Sequence, residues 1–210
     1  MMSLRVLVRD IKPFNAAVVG FVAMTLLGVA ALVIAIIGLT KVKAAHVESS
    51  AAQAKAMLQS TPNTSAVAAM QAINIHSLVN KVHSFHNYQY AVIVLGAIVF
   101  LLSLWGFIVS GRVIFDYYNN NGQTEGDVNM MSSMGSFIFI QMVLMLTIAI
   151  IMTVEYTKLR KPAGVATGLS PIEKQMSDYA LAQFILGYGG VLGGLVIGSI
   201  MRTSRPDKKA

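Results

Sequence analysis

The sequence predicts an all-α membrane protein with four transmembrane helices and an extramembrane helical hairpin formed by extensions of helices 1 and 2. Three observations predict it. The 210-residue chain is 55% apolar and 12% charged, with a mean hydropathy of +0.65, whereas soluble domains carry about 25% charged residues. Four uncharged apolar runs, Pro13–Thr40, Tyr88–Gly111, Val128–Val154 and Tyr179–Met201, each reach the roughly 20 residues that cross a bilayer core. Finally, no Pro or Gly separates a polar stretch, Ser65 to Gln89, from the apolar Tyr90 to Ser110. One helix of about 70 Å at 1.5 Å per residue therefore runs from a wet stalk into lipid.

Residues 1–40 hold a basic segment, with Arg5, Arg9 and Lys12, and the first membrane helix. The charge order is that of a secretory signal, and Val42-Lys43-Ala44 resembles a cleavage site. The apolar run far exceeds a signal's apolar region of roughly 7–15 residues, so an uncleaved signal anchor is expected. Four spans place both termini on one side. Positive-inside counting is tied, with eight Lys/Arg on each side, and the first helix, which usually dominates, breaks the tie in favour of cytoplasmic termini. A bacterial inner membrane is the expected location.

Residues 41–89 form the expected hairpin. Its first arm, Lys41 to Gln59, is Ala-rich and carries a narrow stripe of Val42, Ala45, Ser49, Ala52 and Ala56 on a strongly helix-favouring background. Ser60 to Ser65 supplies a Pro-Asn turn and a capping hydroxyl. The returning arm places Ile75, Leu78, Val82 and Phe85 on one stripe, large residues that the small stripe can receive.

The second membrane helix occupies 90–111. Residues 112–133 read as a polar loop around Asn119-Asn120-Asn121-Gly122. That run is no calcium loop, because Tyr117 and Val128 stand where a first acidic ligand and a terminal Glu are required. The third helix covers 134–154, with Gln141 among Met, Ile and Leu. A connector at 155–178 contains Pro162 and Pro171, and Ser170-Pro171-Ile172-Glu173 fits a helix start. The fourth helix, 179–201, repeats Gly190, Gly194 and Gly198 at four-residue spacing, with Gly189 and Gly193 alongside. This register is expected to be a helix-packing interface, since bare backbones approach closely in lipid. Residues 202–210 form a basic tail whose Arg202, Arg205, Lys208 and Lys209 suit anionic headgroups.

Chemistry is bounded mainly by what the sequence lacks. There are no cysteines, which removes disulfides, thiolate metal sites and thiol catalysis. The net charge of +7 is scattered over loop ends, so no nucleic-acid footprint forms. His76, His83 and His86 share one arm and are the candidate metal ligands. The preferred reading places His83 and His86, with Tyr88 and Tyr90, as rings at the headgroup boundary, since no Asp or Glu between Ser49 and Asp116 is at hand to complete a metal site. No metal or cofactor is expected. The four uncharged runs carry no Asp, Glu, Lys, Arg or His, which disfavours pumps and ion-coupled transporters. No loop assembles a nucleophile, a base and an oxyanion donor. The expected function is a non-catalytic structural or assembly subunit of a larger membrane complex. Its partners are the lipid bilayer and other membrane subunits, of its own kind or another. The alternative is a membrane sensor or adaptor whose hairpin binds a ligand or partner and signals through helix 2; a passive oligomeric pore is third.

Overall fold

A computed structural model describes residues 4–43, 65–120, 125–161 and 171–203, with side chains over 17–43, 76–115, 119, 134–161 and 171–199. Among the described residues every regular element is a helix: α1 (Leu4–Lys41), α2 (Ser65–Asn120), α3 (Glu125–Leu159) and α4 (Pro171–Thr203). All four are long and apolar enough to cross a membrane. The chain is thus an integral membrane protein of the all-α, four-helix kind.

Helix α2 is unbroken over 56 residues, so the polar stalk and the second span are one element. The expected loop at 112–133 is mostly helix instead: α2 runs through to Asn120 and α3 opens at Glu125. Val113 and Ile114 prolong the apolar pattern, and no breaker appears before the Asn-Gly pair at 121–122. Proline does set the opposite boundary, with Pro171 at the first position of α4. The first hairpin arm, from residue 44, and the turn lie outside the described residues.

What makes four helices pack is a buried seam with alternating steps of three and four. In α1 it runs Ala17, Phe21, Met24, Gly28, Ala31, Ala35, Gly38, Val42. In α2 it runs from Val82 and Phe85 through Gln89, Val92, Gly96, Val99, Ser103, Gly106 and Ser110 to Val113. Helix α3 follows the same rule from Met134 to Leu159, and α4 from Glu173 to Ile197. A 3.5-residue period keeps one face toward its neighbours when helices cross near +20°. The opposite faces show Leu26, Leu101, Trp105, Phe139 and Leu192, all more than half exposed, as lipid-facing helices do.

The packing divides into two compact units, one of Met1–Ala31, Leu95–Ile148 and Leu186–Ala210, the other of Leu32–Val94 and Ala149–Ile185. The first is centred on Phe21, which is buried with Ala17, Val113, Met134, Ile138 and Ile197. Phe21 packs against Gly106, where a Cβ would overlap its ring. Gly28 lets α1 and α2 meet backbone to backbone, since a Cβ there would stand 3.5 Å from the Gly96 carbonyl and 3.2 Å from Val99. In the second unit Phe85 seats on Gly38. Val82 and Phe85, two members of the expected stalk stripe, are fully buried, and Leu78 is half-buried. The side chain of Ile75 lies outside the described residues.

Candidate functional site

The second unit concentrates the polar chemistry. In α2, Ser77, Lys81, Ser84 and Tyr88 form a stripe one residue ahead of the buried seam. It therefore borders the packed face without entering it. Helix α3 brings Glu155 and Lys158 and α4 brings Glu173 to this stripe.

Lys81 Nζ stands 2.6 Å from Glu173 Oε1 and also donates to the Lys161 carbonyl. The Glu173 side chain is only 3% exposed. An ionised carboxylate that deep requires a partner of this kind. Ser84 Oγ donates to Glu155 Oε2 at 3.3 Å, and Glu155 is 1% exposed. Lys158 Nζ donates to the Tyr88 hydroxyl at 3.1 Å and lies 5.3 Å from the centre of its ring, a cation–π distance.

Around these groups is a cavity of about 640 Å³. From α2 it is lined by His76, Ser77, Asn80, Lys81 and Ser84. Glu155, Lys158 and Leu159 close it from α3. Its lining sets hydroxyl, amide, imidazole and ammonium donors around one carboxylate.

The three histidines part company. His76 is exposed and lines the cavity; His83 is exposed on another face. His86 is half-buried, with Nε2 2.5 Å from the Val42 carbonyl. That oxygen lies just past the end of α1, where carbonyls lack helical partners, so the ring donates to it and caps α1. Among the described residues no three His, Asp or Glu side chains converge on a point that could hold a metal ion.

Three glutamines occupy seam positions. Gln89 and Gln183, both fully buried, exchange amide hydrogen bonds of 3.0 and 2.7 Å. Gln141, in the other unit, is also fully buried, and neither its Nε2 nor its Oε1 has a hydrogen-bond partner. Opposite outcomes are expected on replacing them. Gln89→Leu should lower stability by about 1 kcal/mol, because it orphans the Gln183 amide. Gln141→Leu should raise it by about 1 kcal/mol, because it removes an amide that is already orphaned. Denaturant titrations in mixed micelles read both; equal signs for the two variants would refute the assignment.

The glycines of α4 divide. A Cβ on Gly190 would come within 2.6 Å of Met145, and one on Gly194 would overlap Met142 of the same chain. Of the five glycines expected at a helix-packing interface, these two pack against methionines of the chain's own core and are not free to receive a partner. A Cβ on Gly189, Gly193 or Gly198 would meet nothing within 4 Å. Arg202 falls within α4 but its side chain, like Arg205, Lys208 and Lys209, lies outside what is described.

Sequence reasoning missed Gly28, Gly38 and Gly106, and it missed the pairing of Lys81 with Glu173. The first three carried a signal, the heptad seam; the last joins residues 92 positions apart, which spacing alone does not connect. No family model, curated protein or solved structure matches the chain.

Proposed function

We propose that this chain is a non-catalytic structural or assembly subunit of a larger membrane complex, with the open face of α4 as its docking surface. The observation that carries the reading is the division of the α4 glycines. Gly190 and Gly194 are filled by methionines of the same chain, while Gly189 and Gly193, four apart, have open space above them. Exposed Ile185, Leu192 and Val196 flank that space. A shallow trough between apolar ridges lets a second helix approach closely in lipid, where packing and not the hydrophobic effect drives association.

The test is Gly189→Ile combined with Gly193→Ile in the full chain, purified in mild detergent. Isoleucine is apolar enough to keep membrane insertion, and its side chains enter open space, so helicity should stay at the wild-type level. The intact mass of the complex should fall, with partner recovery reduced about tenfold, the equivalent of about 1.4 kcal/mol. Assembly at the wild-type mass and ratio would refute the docking role. Gly194→Ile is the contrasting variant and should fail earlier, as loss of the fold itself.

A second reading, a sensor or adaptor that signals through α2, is favoured by the stalk's polar ties. Lys81, Gln89 and His86 connect one helix to Glu173 and Gln183 of α4 and to the end of α1. A ligand that moved α2 at this level would be felt by both neighbours.

A further inference from the structure

The cavity between α2 and α3 plays no part in the assembly reading, and its chemistry is specific enough to name a ligand class. Its depth follows from the sequence. The α2 residues that line it precede the uncharged run Tyr88–Gly111, and the α3 residues follow the uncharged run Val128–Val154. Apolar chain gives way to charge on both helices at this level, which is where lipid headgroups lie.

Glu155 is the unusual member. It lines the cavity at 1% exposure, and among the described residues its one hydrogen bond is the 3.3 Å contact from Ser84. A carboxylate has about four acceptor positions, and a buried one left short of donors is costly. The two lysines of the cavity act on Glu155 through space and donate no hydrogen bond to it: Lys81 bonds Glu173 and the Lys161 carbonyl, and Lys158 uses one of its three donors on Tyr88. What Glu155 lacks is a compact group bearing several N–H donors. The rest of the lining is the converse. Exposed Lys158 and Asn80, with the Ser77 hydroxyl, are donors suited to anionic oxygens. A volume of about 640 Å³ falls in the usual range for small-ligand sites, roughly 300–1,000 Å³.

We propose that this cavity binds a phosphate–ammonium zwitterion of the phosphoethanolamine type, its primary ammonium on Glu155 and its phosphate on Lys158. The same chemistry is offered by the headgroup of an ethanolamine phospholipid and by the free phosphate ester. Choline is the informative competitor, since three methyl groups replace every N–H that Glu155 would accept.

The experiment uses the full chain, purified and stripped of lipid. Native mass spectrometry ranks ethanolamine, choline and glycerol phospholipids of equal acyl length; ligand-observed NMR ranks free phosphoethanolamine against phosphocholine. Ethanolamine should be preferred over choline about tenfold in at least one form. Preference in the lipids assigns a headgroup, and preference in the free esters alone assigns a soluble ligand. Glu155→Gln, with circular dichroism confirming the fold, should abolish the preference; Lys158→Gln, at an exposed position, should weaken ethanolamine and choline binding alike. The proposal is overturned if wild type ranks ethanolamine equal to or below choline in both forms, or holds the glycerol lipid as tightly. It is overturned equally if folded Glu155→Gln keeps the preference, or if Lys158→Gln leaves both affinities unchanged.

Discussion

Gly106→Leu is expected to abolish the packed fold of the first unit, and Gly106→Ala to destabilise it by about 1–3 kcal/mol, the usual range for overpacking a core. A Cβ at this position would overlap Cε1, Cζ and Cδ1 of Phe21. An aromatic ring cannot bend away as a methionine tail can, and Phe21 is fully buried among five other core residues. The ring therefore has nowhere to go. Phe21→Ala alone should cost about 3–5 kcal/mol through the cavity it leaves. Combined with Gly106→Leu it should cost much less than the sum, because the leucine fills part of that space. Unfolding in mixed micelles, followed by circular dichroism, gives all four corners of the cycle. A Gly106→Ala chain as stable as wild type, or strict additivity in the double variant, would show that the contact is not made. Gly111→Ala, exposed and in open space on the same helix, serves as the neutral control at within about 0.5 kcal/mol.

Lys81→Met is expected to cost about 3 kcal/mol, the lower end of the range for breaking a buried ion pair. The lower end applies because the lysine side chain is 17% exposed while its partner is 3% exposed. Methionine keeps the length and apolar stem of lysine, so packing changes little and the loss is electrostatic. It takes the ammonium away from the Glu173 carboxylate in the first turn of α4 and removes the donor to the Lys161 carbonyl. Glu173→Gln in the Lys81→Met background should recover at least half of the loss, because a neutral amide is far cheaper to bury than a carboxylate that has lost its ammonium. The same micelle titrations provide the measurement. If Lys81→Met lies within about 0.5 kcal/mol of wild type, as exposed ion pairs usually do, the pair contributes nothing.

The helices were legible because membrane spans leave a strong signal in composition, and the unbroken α2 because its stalk contains no Pro or Gly. The packing was only half legible. The stripe Ile75, Leu78, Val82, Phe85 is in phase with the α2 seam that continues through Gln89 to Val113; it can be followed because three-four spacing keeps one azimuth. The α4 glycines misled for the same geometric reason. Two steps of four turn a helix by about 80° past two full revolutions, whereas a step of three plus a step of four falls short by only about 20°. Gly190 and Gly194 therefore stay on the buried side, joined by Gly187 and Ile197, and Gly198 rotates off it. The cavity was not legible at all. Glu155 follows an apolar span and Lys81 sits in a polar stalk, and only folding places both in the lining of one cavity.

The seam also behaves as a reading frame. Every buried position from Val82 to Val113 is counted from the one before it by three or four, so one inserted residue in α2 would turn everything beyond it by about 100°. Gly96 and Gly106 would leave their partners, and Leu95 and Trp105 would be driven into the places they vacate. An insertion of seven shifts the frame by only about 20°. Changes in the length of this helix are therefore confined to multiples of a heptad, much as a coding sequence tolerates only multiples of a codon.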